Sequence, residues 1–249
     1  MNTPRNQSGR QRLFALLLLA CVVAFSGCVY LRLLDLKKQF SRFDQFFKTD
    51  ITDGLRIDCL EPLLQVGDAR WLGIFPETTT TAGSSEDWRV RWVKEPPPGA
   101  PETSVYDVEL SARFVDGRLV LVGIPERYFA FFSKELFVNL LRSTGAARID
   151  RSSRSAEVDN KPPAEGPELK LPTIASIDGM LGRPTEFTKK EGLTIYRYRY
   201  KPMTTEKKAR SLEVSFVFND GTGVLQALTA KLPTGTIHFR VAPSANRAQ

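Results

Sequence analysis

Tyr106-Asp107-Val108-Glu109-Leu110-Ser111-Ala112-Arg113-Phe114-Val115-Asp116-Gly117 alternates apolar and polar residues and then stops at an Asp-Gly pair. Leu119 to Ile124 resumes the apolar run on the other side. Asp-Gly between two such runs predicts a tight antiparallel hairpin, because the turn residues need positive φ. About 100 residues later the pattern returns as Ser211-Leu212-Glu213-Val214-Ser215-Phe216-Val217-Phe218-Asn219-Asp220-Gly221, followed by the strand Val224 to Leu232. Each second strand ends at a proline, Ile124-Pro125 and Leu232-Pro233.

The correspondence extends outward from the hairpins. Arg91-Trp92-Val93-Lys94 answers Arg199-Tyr200-Lys201, within the strands Trp88 to Lys94 and Leu193 to Tyr200. Trp71-Leu72-Gly73 answers Leu181-Gly182-Arg183, with Pro76 and Pro184 after them. Arg56-Ile57-Asp58 answers Arg148-Ile149-Asp150. Before each block lies an amphipathic helical stripe. Val29, Leu33, Leu36, Phe40, Phe43 and Phe47 form the first, which the turn Thr52-Asp53-Gly54 ends. Phe129, Phe132, Leu136, Leu140 and Leu141 form the second, over 126–143, closed by Thr144-Gly145. Residues 55–60 and 147–149 read as strands, 63–72 as a short helix or irregular turn, and 173–181 as a short helix. Residues 236–241 read as a short extra strand. Thr78 to Ser85 and Pro96 to Pro101 read as loops, one for lack of apolar residues and the other for lack of donors.

An apolar helix face needs a sheet face to cover. The expected fold is therefore α+β: a tandem repeat, each unit an amphipathic helix on a small antiparallel sheet. Residues 28–125 and 126–249 are the two units, with a Pro-rich linker at 159–172. One continuous sheet through both halves is the alternative.

Leu181-Gly182-Arg183-Pro184, Tyr196-Arg197-Tyr198-Arg199-Tyr200, Leu212-Glu213-Val214-Ser215-Phe216-Val217-Phe218 and Gly223-Val224-Leu225 together resemble the BamE/SmpA-OmlA-like domain. The resemblance covers about 60 residues of the second half, and the first half more faintly. It implies a helix pair against a three-stranded sheet, and an outer-membrane lipoprotein as the usual setting.

The N-terminus bears on location. Arg5, Arg10 and Arg12 precede an uncharged run from Leu13 to Leu31, and no acid appears before Asp35. Basic start, apolar run and small residues are the grammar of an export signal. Phe25-Ser26-Gly27-Cys28 resembles a bacterial lipobox, which implies cleavage after residue 27 and acylation of Cys28. Val29 after the cysteine resembles outer-membrane sorting. An uncleaved transmembrane anchor over 13–31 is the alternative, since about 20 apolar residues span a bilayer. A soluble secreted product is a third. All three export the rest of the chain.

Without residues 1–27 the chain keeps 32 basic and 28 acidic side chains, and residues 183–249 alone hold 12 and 5. That basic segment favours anionic partners. In Tyr196 to Lys201, alternation puts the tyrosines on one strand face and Arg197, Arg199 and Lys201 on the other, a candidate contact for an anionic surface. Export argues against nucleic acid. Cys59 is a lone thiol in a strand pattern and reads as buried and inert. The single histidine, His238, alternates with Ile237 and Phe239 and lacks a nucleophile elbow. No catalytic, metal or cofactor motif stands out.

The expectation is a non-catalytic, membrane-anchored lipoprotein of the bacterial cell envelope, facing the periplasm. It would act as a binding or scaffolding module for an envelope protein or anionic lipid. The alternative is a carrier of a hydrophobic or anionic ligand in a helix–sheet cleft, lined by phenylalanines such as Phe129 and Phe132.

Overall fold

The computed structural model describes residues 29–130, 133–160 and 170–241. The signal or anchor run up to Cys28, the lipobox included, and most of the Pro-rich linker lie outside the described residues. Among the described residues no helix is long and apolar enough to cross a membrane.

The described residues open with helix α1 (29–41), a short α2 (Phe43–Phe46) and an edge hairpin, β1 (Phe47–Asp50) and β2 (Leu55–Cys59). Helix α3 (Val66–Trp71) then leads into four strands, β3 (Thr78–Ala82), β4 (Ser85–Lys94), β5 (Val108–Val115) and β6 (Arg118–Ile124). The second half begins with a 3-10 turn (Glu126–Phe129), α4 (Lys134–Thr144) and the hairpin β7 (Arg148–Asp150) and β8 (Ser155–Asp159). After α5 (Ile174–Leu181) come β9 (Glu186–Lys190), β10 (Leu193–Pro202), β11 (Leu212–Asn219), β12 (Leu225–Leu232) and β13 (Gly235–Arg240).

These strands form one 13-stranded mixed sheet in the order β1-β2-β6-β5-β4-β10-β11-β12-β13-β8-β7, with β3 flanking β4 and β9 flanking β10. This corrects the tandem of small helix-covered sheets. The reason lies at β4 and β10. Two separate units would leave the C-terminal ends of both strands as free edges, with unpaired N–H and C=O groups. Instead those ends pair antiparallel, Lys94 with Tyr200, Val93 with Lys201 and Trp92 with Pro202. Glu95 N–H donates to Arg199 O at 2.8 Å and Met203 N–H to Arg91 O at 2.8 Å, extending the join at each end. The segments that resemble each other in sequence are thus the place where the halves meet. Among the described residues, only β13 and β8 run parallel.

Other expectations also shift. The first helix does not run to Phe47, because Phe47–Asp50 pairs with β2 as an edge strand. Thr78–Ala82 is a strand rather than a loop. Its β-branched threonines suit a ladder with β4, and its full exposure erases any apolar alternation. The second helix starts only at Lys134, where the Ser133 side chain caps it by accepting from Leu136 N–H at 3.0 Å. Arg56-Ile57-Asp58 lies in an interior strand, whereas Arg148-Ile149-Asp150 lies in the edge strand β7. The hairpin turn holds as read, with Asp116 and Gly117 both at positive φ.

Two apolar clusters fill the space between helices and sheet. The larger joins Trp88, Val90 and Trp92 of β4, Phe114, Tyr198, Tyr200, Phe216, Phe218 and Leu225 to Leu136, Leu140, Ile177 and Leu181 of the helices. The smaller gathers Phe43, Phe46, Phe47, Leu55, Ile57 and Val138. Helix α4 serves both, since Leu136 and Leu140 face one cluster and Val138 the other. Burying each of these large side chains contributes about 2 kcal/mol.

Lys94 sits at the join, only 6% exposed. Its ammonium donates to Arg183 O and lies 5.0 Å from the Tyr106 ring centroid and 5.2 Å from that of Tyr198. Burial pushes its pKa down to about 8, while the charge of Asp178 pulls the other way. In the unfolded chain the same lysine titrates near 10.5. Between these values the unfolded chain binds more protons, so stability rises with pH through that window. The gain is up to about 3 kcal/mol. Cys59, whose thiol burial pushes up to about 11 from 9.0, works in the opposite sense above pH 9. In a Cys59→Ala background, denaturant midpoints should therefore climb from pH 8 to 10, and Lys94→Met should flatten the climb. Parallel pH profiles for the two proteins would contradict the buried-charge account.

Candidate functional site

Arg197, Arg199 and Lys201 share one face of β10, but two of them are engaged. Arg197 Nη1 lies 2.8 Å from Glu186 Oε2 and its Nε 3.4 Å from Glu213 Oε1. Arg199 Nη2 lies 2.7 Å from Glu186 Oε1 and its Nε 3.5 Å from Glu213 Oε2. The first half builds the same lattice. Arg89 Nη2 lies 2.9 Å from Glu109 Oε1, and Arg91 Nη1 lies 3.3 Å from Glu77 Oε1. Lys201 is looser, 3.8 Å from Glu95 Oε1 and largely exposed.

The phenylalanine cleft anticipated around Phe129 is filled, since Phe129 packs edge-on against Phe137 at 6.1 Å and joins the smaller cluster. Phe132 lies outside the described residues. His238 on β13 pairs its Nδ1 with Thr229 Oγ1 at 3.0 Å, a contact within the sheet. Cys59 keeps its proton through the neutral range, because burial raises its thiol pKa.

An open groove lies elsewhere, between the start of α1 and the sheet's β7 end. Tyr30, Leu33 and Leu34 form one wall, a face that spacings of three and four bring together. Trp71 and Leu72 at the end of α3, Leu232 and Pro233 at the end of β12, and Ile149, Ala156 and Ile237 of the sheet supply the rest. The cavity measures about 610 Å³. Trp71 and Ile149 are 47% and 43% exposed at its mouth, unusual for residues of their size.

Local sequence explains the shape. Gly73 has φ +87, and a Cβ there would lie 2.6 Å from the Pro233 ring, so α3 and the β12–β13 turn close on each other. Asp68 of α3, fully buried, takes both prongs of Arg32 from α1, at 2.7 Å (Nε) and 2.6 Å (Nη2). It also accepts from Gln65 N–H at 2.9 Å, capping α3. That fork fixes α1 over the groove.

The rim is basic. Arg151 and Arg154 project from the β7–β8 turn. Asp150 organises the turn by accepting from Ser152 Oγ at 2.6 Å, Ser152 N–H at 2.8 Å and Ser153 Oγ at 2.8 Å. These bonds hold its carboxyl down to about 2. Its charge is thereby occupied within the turn. The Arg151 guanidinium stacks 5.2 Å from the Tyr30 ring centroid, and Tyr30 Oη is buried with no hydrogen bond among the described residues. The arrangement can enclose an apolar chain and meet a negative head.

Sequence reasoning placed Tyr30 in the uncharged N-terminal run, Leu33 in the helical stripe and Trp71 in the repeat, and assigned Arg151 and Arg154 no role. The available signal was Asp150-Arg151-Ser152-Ser153, since an aspartate followed by two serines is Asx-turn chemistry. It marks a turn but cannot reveal what the turn faces.

No protein-family model, no curated protein and no solved structure matches this chain. The resemblance to the BamE/SmpA-OmlA-like domain therefore rests on the residues quoted for it.

Proposed function

We propose that this chain is a membrane-anchored, non-catalytic envelope lipoprotein that acts as a binding or scaffolding module at a membrane surface. The observation that carries this reading is the open groove walled by the described start of α1, the segment that in sequence follows the anchor run. The described part of α1 starts at Val29, the residue after Cys28 in sequence. Trp71 and Ile149, both exposed, line the groove together with Arg151 and Arg154, and Leu31, 61% exposed, follows Tyr30 on α1. Exposed aromatic and aliphatic side chains next to arginines suit a membrane interface. Arg197, Arg199 and Lys201 belong to the proposal as an anionic contact, with Lys201 the most available because the arginines already hold Glu186 and Glu213.

The test is the intact mass of membrane-extracted protein beside Cys28→Ala. A species beginning at Cys28 with added acyl mass, lost in the variant, is the expected result. Full-length unprocessed chain in both samples overturns the lipoprotein and replaces it with a spanning anchor. The groove favours a second reading, a carrier of a hydrophobic or anionic ligand, because its volume lies within the range of small-molecule sites.

A further inference from the structure

We propose that the groove beneath α1 binds one long-chain fatty acid, its alkyl chain along Leu33, Leu72, Ala156 and Ile237 and its carboxylate on Arg151 and Arg154. This assignment rests on the carrier reading and names its ligand; it is independent of whether Cys28 is acylated.

Three observations select this class. The first is size. At about 30 Å³ per methylene, close to the share of a water molecule in the liquid, sixteen carbons need about 500 Å³. The groove of about 610 Å³ therefore has room for one such chain. The second is charge. The two rim arginines meet one carboxylate, Asp150, and the serines of its own turn engage that group. A guanidinium fork matches an incoming carboxylate in geometry as well as sign. The third is Tyr30 Oη, buried and without a hydrogen bond among the described residues, on the ring over which Arg151 lies. A carboxylate beside Arg151 gives that hydroxyl an acceptor, which a bare hydrocarbon does not.

The opposite walls come from both halves of the chain, α1 and α3 from the first and the β7–β8 and β12–β13 turns from the second. The site exists only because the sheet is continuous, which draws the two halves around one cavity.

The experiment uses the full chain held in amphipol, so that no detergent tail competes, and counts bound ligand by native mass spectrometry. Palmitate should bind one to one. Methyl palmitate, with the same chain and no charge, should bind about tenfold more weakly, as should palmitate to Arg151→Gln/Arg154→Gln, since each loses a charge-assisted hydrogen bond. Both arginines are exposed, so the variant keeps its fold. Ala156→Phe, which narrows the groove, should abolish binding of both ligands. Equal binding of palmitate and its ester, or a preference for a single-chain lysophospholipid, overturns the fatty-acid assignment but leaves a carrier. Binding of none of them overturns the carrier reading as well, and the N-terminal mass still reports independently on the anchor.

Discussion

Arg32→Met should destabilise the protein by about 3 to 5 kcal/mol, because it strands a buried carboxylate. Asp68 is fully buried, and Arg32 supplies two of its hydrogen bonds across 36 residues of sequence. In the wild-type chain the cost of drying Asp68 is offset by the forked guanidinium and by Gln65 N–H. Remove the fork and the charge remains with one backbone donor. Urea unfolding followed by the fluorescence of Trp88 and Trp92, both buried in the larger cluster, measures the loss. Arg32→Met/Asp68→Leu should recover most of it, since an apolar pair of similar size removes the uncompensated charge along with its partner. A loss below about 1 kcal/mol for the single variant would place this pair with ordinary surface bridges and contradict its role as the strut of α1. Because the same strut holds Tyr30, Leu33 and Leu34 over the groove, palmitate capture should fall in step with stability in Arg32→Met. It should return in the double variant.

Local pattern carried much of the strand content, and the reason is visible in β4 and β10. Trp88, Val90 and Trp92, like Tyr198 and Tyr200, alternate with arginines because one sheet face packs on helices and the other meets water. That alternation is printed in the sequence. What the pattern does not contain is which edges meet. The three-pair join of β4 to β10 uses backbone groups and leaves no mark in side-chain periodicity, so two small sheets and one large sheet read alike. Thr78–Ala82 and Glu186–Lys190 were missed for a related reason. Both are exposed along their length and owe their structure to a hairpin partner rather than to burial. The groove was hidden more deeply still. Its lining comes from four separate stretches, and its arginines sit in a turn whose sequence explains the turn alone. By contrast, the phenylalanine stripe of the first helix was legible as a packing face. Phe40, Phe43 and Phe47 do stack on one another, at 4.9 to 6.1 Å, although Phe47 does so from a strand.

Gly145→Ala should cost about 3 kcal/mol, whereas Gly67→Ala should gain up to about 1 kcal/mol, although both replace a glycine by the better helix former. Gly145 follows α4 at φ −58, an ordinary value for any residue, so the turn itself makes no demand for glycine. Space does. A Cβ there would lie 2.3 Å from Ser41 N, 2.4 Å from Ser41 Cα and 2.6 Å from Phe40 C, all backbone atoms of α1 that no rotamer change can move. The two helices touch at this point, and Ser41 Oγ donates to Gly145 O at 3.0 Å across the contact. An added methyl must push α1 off α4, stretch that bond and loosen Val138 from the phenylalanines it packs against. Gly67 lies inside α3 with nothing within 4 Å of an added Cβ, so its substitution only reduces the freedom of the unfolded chain. Measured side by side, the two variants separate propensity from contact. Equal effects would mean that the crossing of α1 and α4 does not constrain the protein. Opposite signs would make Gly145 the pivot on which α1 is seated, about two and a half turns from the arginine that pins its other end over the groove.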